Sequence, residues 1–204
     1  MSAEQRHAGG RPRAFDEGRA LDRAIEVFWR LGYEGASLAE LTHAMGINKP
    51  SLYAAYGSKE ELFARALQRY GGSYHEHLNE LLAHPRAYDV IESYLRATAK
   101  AVRAGILPGC LSIQGGLSCA PDNARIPQLL ADYRRGIEDA VAKALAATED
   151  APGLDTTALA GYAVTIGQGL AVDAAAGVPQ ARLDAVVDVA LAGLATSLPR
   201  RAQG

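Results

Sequence analysis

A short segment near the N-terminus is rich in cationic, amide and hydroxyl side chains. Asn48, Lys49 and Ser51 offer groups that recognise base edges in the major groove of DNA, Asn pairing with adenine and Lys with guanine. Lys49 and Lys59 each stand at the start of a predicted helix, where backbone amides add donors for phosphate. Ser37 has the same position on another helix, although a capping role alone accounts for it. These residues form a candidate DNA-contact surface.

Two arginines precede the first predicted helix. Arg11 and Arg13 lie in a polar stretch, and we expect residues 1–15 to form a flexible arm. Flexible arginine arms can enter the minor groove of DNA. A solubilising tail accounts equally well for this composition, so both interpretations stay open.

The helices that position the contact residues are delimited by two predicted capping boxes. Ser37 stands three residues before Glu40, and Ser58 stands three residues before Glu61. In a capping box the hydroxyl and the carboxylate each accept the backbone N–H of the other residue. The two boxes therefore predict helix starts directly after the two serines.

The helix between these boxes is short. Gly46 can end the preceding helix in the left-handed conformation, Asn48 is suited to the N-cap of the next one, and Gly57 closes it. The resulting helix, Lys49–Tyr56, has about two turns, which is marginal in water unless neighbouring helices hold it. We therefore predict a helix-turn-helix in which the outer face of this helix enters a DNA groove.

An upstream helix completes the predicted DNA-binding unit. Asp16 can cap it, Gly32 ends it, and its apolar residues recur with helical period. The predicted small core consists of apolar side chains from all these helices, namely Leu21, Ile25, Phe28, Leu38, Leu41, Met45, Ile47, Leu52, Tyr56 and Phe63.

A specific pattern of residues runs through this unit. It consists of Phe28, Gly32, Tyr33, Ser37, Leu38, Leu41, Met45, Gly46, Ile47, Leu52, Tyr53, Tyr56 and the run Ser58-Lys59-Glu60-Glu61-Leu62. With this pattern the segment Arg19–Leu67 resembles the DNA-binding domain of the tetracycline-repressor (TetR) family. The resemblance implies that Tyr53 and Lys59 contact DNA phosphates.

The sequence departs from the family pattern at a few positions. Ser37 stands where the family usually has Thr, which keeps the hydroxyl, and Ala55 stands where a His often helps to hold phosphate. Tyr56 replaces the usual Phe, and we expect its ring to lie in the core. Because Ala54 and Ala55 offer only methyl groups, specificity is expected to depend partly on DNA shape.

Length and composition limit the possible classes of protein. The 204 residues suffice for one large domain or two smaller ones. No apolar run reaches membrane-spanning length and no hydrophobic signal segment begins the chain, so we expect a cytoplasmic protein with no membrane partner. Only two cysteines are present, which argues against a disulfide scaffold or a structural zinc module. The net charge of −2 decides nothing by itself.

The rest of the chain is predicted to be helical. Its helices run over Lys59–Ala83, Tyr88–Arg103, Cys110–Leu117, Ile126–Ala147, Asp155–Ala176 and Pro179–Leu198. We therefore expect an all-α protein with an N-terminal three-helix helix-turn-helix domain at 16–67 and a C-terminal helical domain for effector binding and dimerisation at 68–204.

The last two predicted helices are apolar on nearly every side. Helices of this kind must bury two faces, one against the body of the same subunit and one against a partner. A two-fold four-helix bundle satisfies this requirement and resembles the dimer interface of the family. We expect a homodimer that presents two heads to a palindromic operator.

The resemblance also implies a ligand pocket in the second domain. Apolar helices with a few polar groups are the usual composition of such a site. The candidates are Tyr88, Tyr94, Cys110, Ile113, Gln114, Tyr133, Tyr162, Thr165 and Gln168. An ordinary core or surface position accounts equally well for each of them.

Cys110 has two interpretations. The run 108–111 resembles a sub-group of the family in which the corresponding helix starts with a Gly-Cys pair and the cysteine serves as a redox or metal sensor. A helix N-terminus favours the thiolate, yet buried free cysteines are common and inert. No metal site is expected, because Cys110 and Cys119 lack a regular histidine partner, and His75 and His77 face different ways. No cofactor is expected either.

Three classes of function follow. The first is a ligand-responsive transcriptional regulator, and a repressor is favoured over an activator. A small-molecule or oxidant effector would shift the helix that links the two domains and release the protein from its operator. The second is a DNA-binding protein on the same scaffold that acts through a protein partner, which a missing pocket would favour. A helical enzyme comes last, because the sequence has no Gly-x-Ser-x-Gly, no metal-binding His-Glu pair and no phosphate loop.

Overall fold

The computed structural model describes residues 16–104, 109–116 and 119–198. These residues form nine α-helices and a short 3-10 turn at Pro121–Asn123, without a strand. The helices are α1 (Glu17–Gly35), α2 (Leu38–Met45), α3 (Lys49–Tyr56), α4 (Lys59–Leu81), α5 (Ala87–Ala104), α6 (Leu111–Gln114), α7 (Arg125–Ala146), α8 (Thr156–Ala175) and α9 (Gln180–Leu194). The predicted all-α fold is confirmed. None of the described helices combines the length and the apolar composition needed to cross a membrane.

Local capping delimits the helix-turn-helix as predicted. Ser37 forms a complete capping box, in which its hydroxyl accepts the N–H of Glu40 at 3.1 Å and its own N–H donates to the Glu40 carboxylate at 3.0 Å. Gly46 ends α2 in the left-handed conformation, with φ 68°. Asn48 Oδ1 accepts the N–H of Ser51 at 2.8 Å and caps α3.

The second predicted capping box is wrong in its reciprocal half. Ser58 Oγ accepts the N–H of Glu61 at 3.0 Å, as expected. The Glu61 carboxylate instead accepts from Arg125 Nη1 at 2.6 Å, and the Ser58 N–H donates to the Tyr56 carbonyl at 2.9 Å. Because hydrogen bonds between two charged groups are stronger than those to an amide, the guanidinium on α7 takes the carboxylate.

Helix α1 contains a break at Gly32. Its φ of 67° lies in the left-handed region that favours glycine, and its ψ of 175° is not helical. The regular helix therefore ends here, as predicted, and one further turn reaches Gly35. After the break the N–H of Tyr33 donates to the carbonyl of Gly115, beyond α6, at 2.7 Å.

We call α1–α3 and the N-terminal half of α4 the head. Its apolar cluster contains all predicted core residues, either buried or packed against it, and the rings of Phe28 and Phe63 meet edge-on at 4.9 Å. Leu111, Ile126 and Leu130 complete the same cluster although they belong to α6 and α7. The head core therefore includes side chains from the C-terminal part of the chain.

The remaining helices form what we call the body. Helices α5, α7, α8 and α9 enclose a second apolar cluster, in which Ile91, Leu95, Val141 and Leu145 are fully buried. Gly167 allows α8 to approach α5 closely, because an added Cβ would lie only 3.0 Å from a side-chain oxygen of that helix. This glycine thus sets the spacing between α5 and α8.

Two helices of the body are shorter than predicted. Helix α6 covers Leu111–Gln114 rather than Cys110–Leu117. Cys110 is the N-cap residue before the helix, and Gly115 and Gly116 follow its last residue. Helix α9 ends at Leu194 rather than at Leu198, and the residues between them form a turn that buries the Leu198 side chain.

Candidate functional site

Helix α3 has one face in the head core and the other in solvent. Leu52 and Tyr56 are buried, which confirms Tyr56 as a core ring. Lys49 and Tyr53, one turn apart on the opposite face, are exposed, the tyrosine by 43 %. The Lys49 Nζ lies 5.9 Å from the centroid of the Tyr53 ring. An uncovered phenol beside an ammonium group is suited to contact a phosphate backbone.

Asn48 and Ser51 share the N-terminal cap of α3. Because the cap uses Oδ1 of Asn48, only its Nδ2 can donate to a base while the cap is intact. A two-point contact of Asn48 with adenine would require Oδ1 to accept from the Ser51 N–H and from the adenine amino group at the same time.

Lys59 begins α4 and is half-buried. Its Nζ lies 4.4 Å from the centroid of the Tyr33 ring, a cation–π contact that holds the ammonium group in place. Burial lowers the pKa of Lys59, while the nearby Glu34 carboxylate acts in the opposite direction. The ring thus fixes the ammonium group without neutralising its charge.

The other predicted DNA contacts lie at two different places. Ser37 is exposed at the start of α2, where its hydroxyl also donates to the Glu40 carboxylate at 2.7 Å. Its capping role is confirmed, and its contact with phosphate stays a prediction. Arg11 and Arg13 lie outside the described residues, so the minor-groove contact also stays a prediction.

A cavity of about 1280 Å³ lies between the head and the body. Residues of α1, α4, α5, α6, α7 and α8 line it, and its volume suffices for a drug-sized molecule. Several of the predicted pocket residues line it, namely Tyr94, Cys110, Ile113, Tyr133 and Gln168.

The structure places the other predicted pocket residues away from this cavity. Tyr88 is buried in the body core. Tyr162 and Thr165 lie on the exposed side of α8, where the Tyr162 hydroxyl lies 3.5 Å from the Ala190 carbonyl of α9. Gln114, the last residue of α6, is not among the residues that line the cavity, whereas Ser112 and Ile113 of the same helix are.

Sequence reasoning missed the part of the cavity wall that the head contributes. Leu21, Ile25 and Trp29 line the cavity from α1, and Arg134 lines it from α7. The three α1 residues recur at a spacing of four, which is a detectable helical stripe. Nothing in the sequence indicated that this stripe faces the body.

Cys110 lies in the cavity wall among hydroxyl groups. Its Sγ is 3.2 Å from Ser112 Oγ and 3.5 Å from the Tyr70 hydroxyl. Burial, the largest cause, raises the pKa of Tyr70, so this phenol stays protonated and can donate to the sulfur. The Tyr70 ring also meets Trp29 at 5.1 Å and Tyr133 at 6.0 Å, which makes one side of the cavity aromatic.

Polar contacts join the head to the segment between α6 and α7. The bond from the Tyr33 N–H to the Gly115 carbonyl is one of them. Glu34 Oε1 accepts the N–H of Ala120 and the side-chain amide of Asn123, both at 2.8 Å. These two hydrogen bonds, the one from Asn123 first, lower the pKa of Glu34. A displacement of α6 at the cavity can therefore reach the head through direct contacts.

Known proteins similar to this chain are transcriptional regulators. Residues 20–66 match the bacterial regulatory proteins of the tetR family. The chain is 33 % identical over 175 residues to the HTH-type transcriptional repressor ComR of Escherichia coli (strain K12), covering 82 % of this chain and 83 % of ComR. It is 40 % identical to the TetR family transcriptional regulator CifR. A cysteine mutant of CifR, complexed with 26-base-pair double-strand operator DNA, matches with a TM-score of 0.84 over 89 % of this chain and 98 % of that chain.

The helix-turn-helix head, together with this similarity over most of each chain, defines a class of regulators rather than of enzymes. The protein belongs to the TetR family of transcriptional regulators. The family predicted from the sequence is thereby confirmed.

Proposed function

We propose that this protein is a homodimeric repressor that binds a palindromic operator through α3 and leaves it when a small molecule or an oxidant acts at the cavity. The observation that carries the proposal is the uncovered outer face of α3, where Lys49 and Tyr53 project while Leu52 and Tyr56 anchor the helix. The complex of the similar protein CifR with operator DNA supports it. Such a repressor acts on genomic DNA in the cytoplasm.

The proposed DNA contacts divide into three groups. Phosphate contacts are assigned to Ser37, Tyr53 and Lys59, base contacts to Lys49, Ser51 and the Nδ2 of Asn48, and minor-groove contacts to Arg11 and Arg13. Phosphate contacts orient the protein on the duplex, and base contacts select the sequence. Because α3 has few hydrogen-bonding side chains, DNA shape supplies part of the specificity.

The proposed dimer interface consists of the outer faces of α8 and α9. Val172, Val186 and Val189 are 51 %, 40 % and 75 % exposed there. Large apolar side chains grouped on a surface mark an interaction site. A two-fold four-helix bundle would cover them and would place two heads on the two halves of a palindrome.

The proposed effector site is the cavity between head and body. An open cavity favours a small-molecule effector over regulation by a protein partner alone, which a collapsed pocket would have favoured. An oxidant would act on Cys110, whose thiol lines the cavity beside Tyr70. Either effector would displace α6, which is in contact with the head.

Fluorescence anisotropy with the DNA upstream of the protein's own gene tests the proposal. We expect tight binding. The logarithm of the association constant should fall steeply and linearly with the logarithm of the salt concentration. Lys59→Ala should weaken binding and reduce this slope by about one. Tyr53→Ala should also weaken binding. Lys143→Ala is the matched control, because it removes an exposed lysine from the body end of α7.

Two results would contradict the proposal. The first is equal affinity for scrambled DNA and for the upstream fragment in solution, together with a genome-wide binding map that shows no specific site. This combination would exclude an operator. Equal effects of Lys59→Ala and Lys143→Ala would show that the head does not form the contact surface.

A further inference from the structure

Arg134 differs from the other arginines near the cavity. It is half-buried in the cavity wall, and its Nη1 donates to the Ser112 carbonyl of α6. Within the described residues no carboxylate forms an ion pair with it. By contrast, Arg69 in the same wall is exposed and pairs with Asp22 at 2.6 Å.

The cavity wall to which Arg134 belongs is mainly apolar. Ile137, Val164 and Ala171 line the same cavity and are buried. Burial lowers the pKa of Arg134, which reflects the cost of keeping a cation away from water. A buried charge is stabilised by a partner of opposite sign. The cavity therefore favours an entering anion at this point.

The carboxylates that line the cavity do not cancel this preference. Asp22 is neutralised by Arg69, and Glu26 pairs with Arg23 at 3.0 Å. Both acidic residues belong to α1, at the head side of the cavity, whereas Arg134 belongs to α7. The carboxylates on the head side thus have protein partners, whereas half-buried Arg134 has no carboxylate partner within the described residues.

We propose that the cavity binds an amphipathic molecule with a single carboxylate head, and that Arg134 is the residue that recognises this head. The inference rests on the proposed effector function of the cavity and names the chemical class of the effector. A guanidinium group presents paired donors that match a carboxylate, and the bond to Ser112 uses only part of them. The aromatic side formed by Trp29, Tyr70 and Tyr133 receives the apolar part of the ligand.

The same residue would connect the ligand to the head. Arg134 holds the Ser112 carbonyl at one end of α6, and Tyr33 of the head donates to the Gly115 carbonyl just after the other end. A ligand carboxylate would compete with the Ser112 carbonyl for the Arg134 guanidinium group. This competition would weaken the hydrogen bond that holds α6 in place. The cavity is thus coupled to the head by an element of only four residues.

Trp29 provides a direct measurement of cavity occupancy, because it is the only tryptophan of the chain and lines the cavity. The probes are 4-phenylbutyrate and its uncharged amide, 4-phenylbutyramide, titrated into the full-length protein. We expect a change of Trp29 fluorescence with a Kd for the acid that is lower by roughly tenfold or more. Arg134→Gln should abolish this preference, and Arg134→Lys should keep part of it.

Arg135→Gln is the matched control, since it removes the same charge from an exposed neighbour that pairs with Asp132. Equal affinity for the two probes, or an acid preference that survives Arg134→Gln, would overturn the inference. No Trp29 response to either probe at millimolar concentration would overturn it too. Thermal unfolding checks that each variant is folded. Operator binding without probe is measured in parallel, so that failure of the inference and failure of the proposed function are distinguished.

Discussion

The head and the body of this protein are packed in different ways. In the head, Phe28, Leu41 and Leu52 are completely buried, and aromatic rings fill the centre. The body helices instead border the cavity of about 1280 Å³ between body and head, and α9 leaves Val189 75 % exposed. Tight packing makes the head a rigid support for α3. The body borders open space and has open surface, and we therefore assign the proposed effector site and the proposed dimer interface to it.

The contrast is sharpest where the two regions meet. Helix α6 gives Leu111 to the head core and Ile113 to the cavity wall, and its N-cap residue Cys110 also lines the cavity. A helix of four residues has no core of its own, so its position depends on both neighbours. We therefore propose that a displacement at the cavity reaches the head through α6.

The largest expected effect is the loss of an aromatic ring from the head core. Phe28→Ala should lower the free energy of unfolding by about 3–5 kcal/mol, because the ring fills a closed space against Tyr33 and Phe63. Urea denaturation followed by circular dichroism measures this change. The matched substitution in the body is Ile113→Ala, whose half-buried side chain already borders open space. It should cost about 1 kcal/mol, well below the range for closed cores. Equal costs would show that the two regions are packed alike.

A charge on the exposed valine surface should separate the subunits. Val189→Asp places a carboxylate in the proposed interface, which costs desolvation energy only in the dimer. We expect a monomer by light scattering after size exclusion, and operator affinity lower by roughly 100-fold, since binding through two heads is lost. Val189→Thr keeps the shape without a charge and should stay dimeric. A dimeric Val189→Asp protein would place the interface elsewhere.

A smaller effect is expected at the cap of α3. Asn48→Ala should cost about 1 kcal/mol of stability, because the N–H of Ser51 loses its acceptor. Asn48→Ser restores a capping oxygen and should recover the stability without recovering the amide donor. If Nδ2 contacts a base, both variants bind the operator more weakly. Full affinity in Asn48→Ser would limit this residue to its capping role.

The smallest effect concerns acid stability at the junction of head and body. Hydrogen bonds from Asn123 and Ala120 lower the pKa of Glu34 in the folded protein below its ordinary value of 4.5. The stability due to this carboxylate is therefore present above that value and is lost as the pH falls through the lowered pKa. Glu34→Gln keeps an oxygen that can accept both bonds but does not titrate.

The loss of stability below pH 4.5 should then be shallower in Glu34→Gln than in the unsubstituted protein. Urea midpoints between about pH 3 and 5 measure it. Glu149→Gln changes an exposed carboxylate in the loop before α8 and serves as the control. Parallel curves for all three proteins would exclude Glu34 as a source of the acid sensitivity.

Features of the head that depend on neighbours in sequence were predictable. Ser37, Gly46 and Asn48 act through residues three or four positions away, and the structure shows each cap as expected. The buried residues of α1–α3 also follow from helical period. The predicted bond from Glu61 to Ser58 failed because Arg125 lies 64 positions away in the sequence, and no local rule contains it.

The cavity shows the same limit more strongly. The sequence by itself determined the helices, the caps, the family and several of the wall residues, because short-range hydrogen bonds and helical period are written in neighbouring positions. Only the tertiary structure decided that Trp29 and Arg134 share a wall with Cys110, and that Thr165 and Gln114 do not. Which side of a helix meets a cavity depends on how separate helices pack together, and helical period restricts that choice without making it.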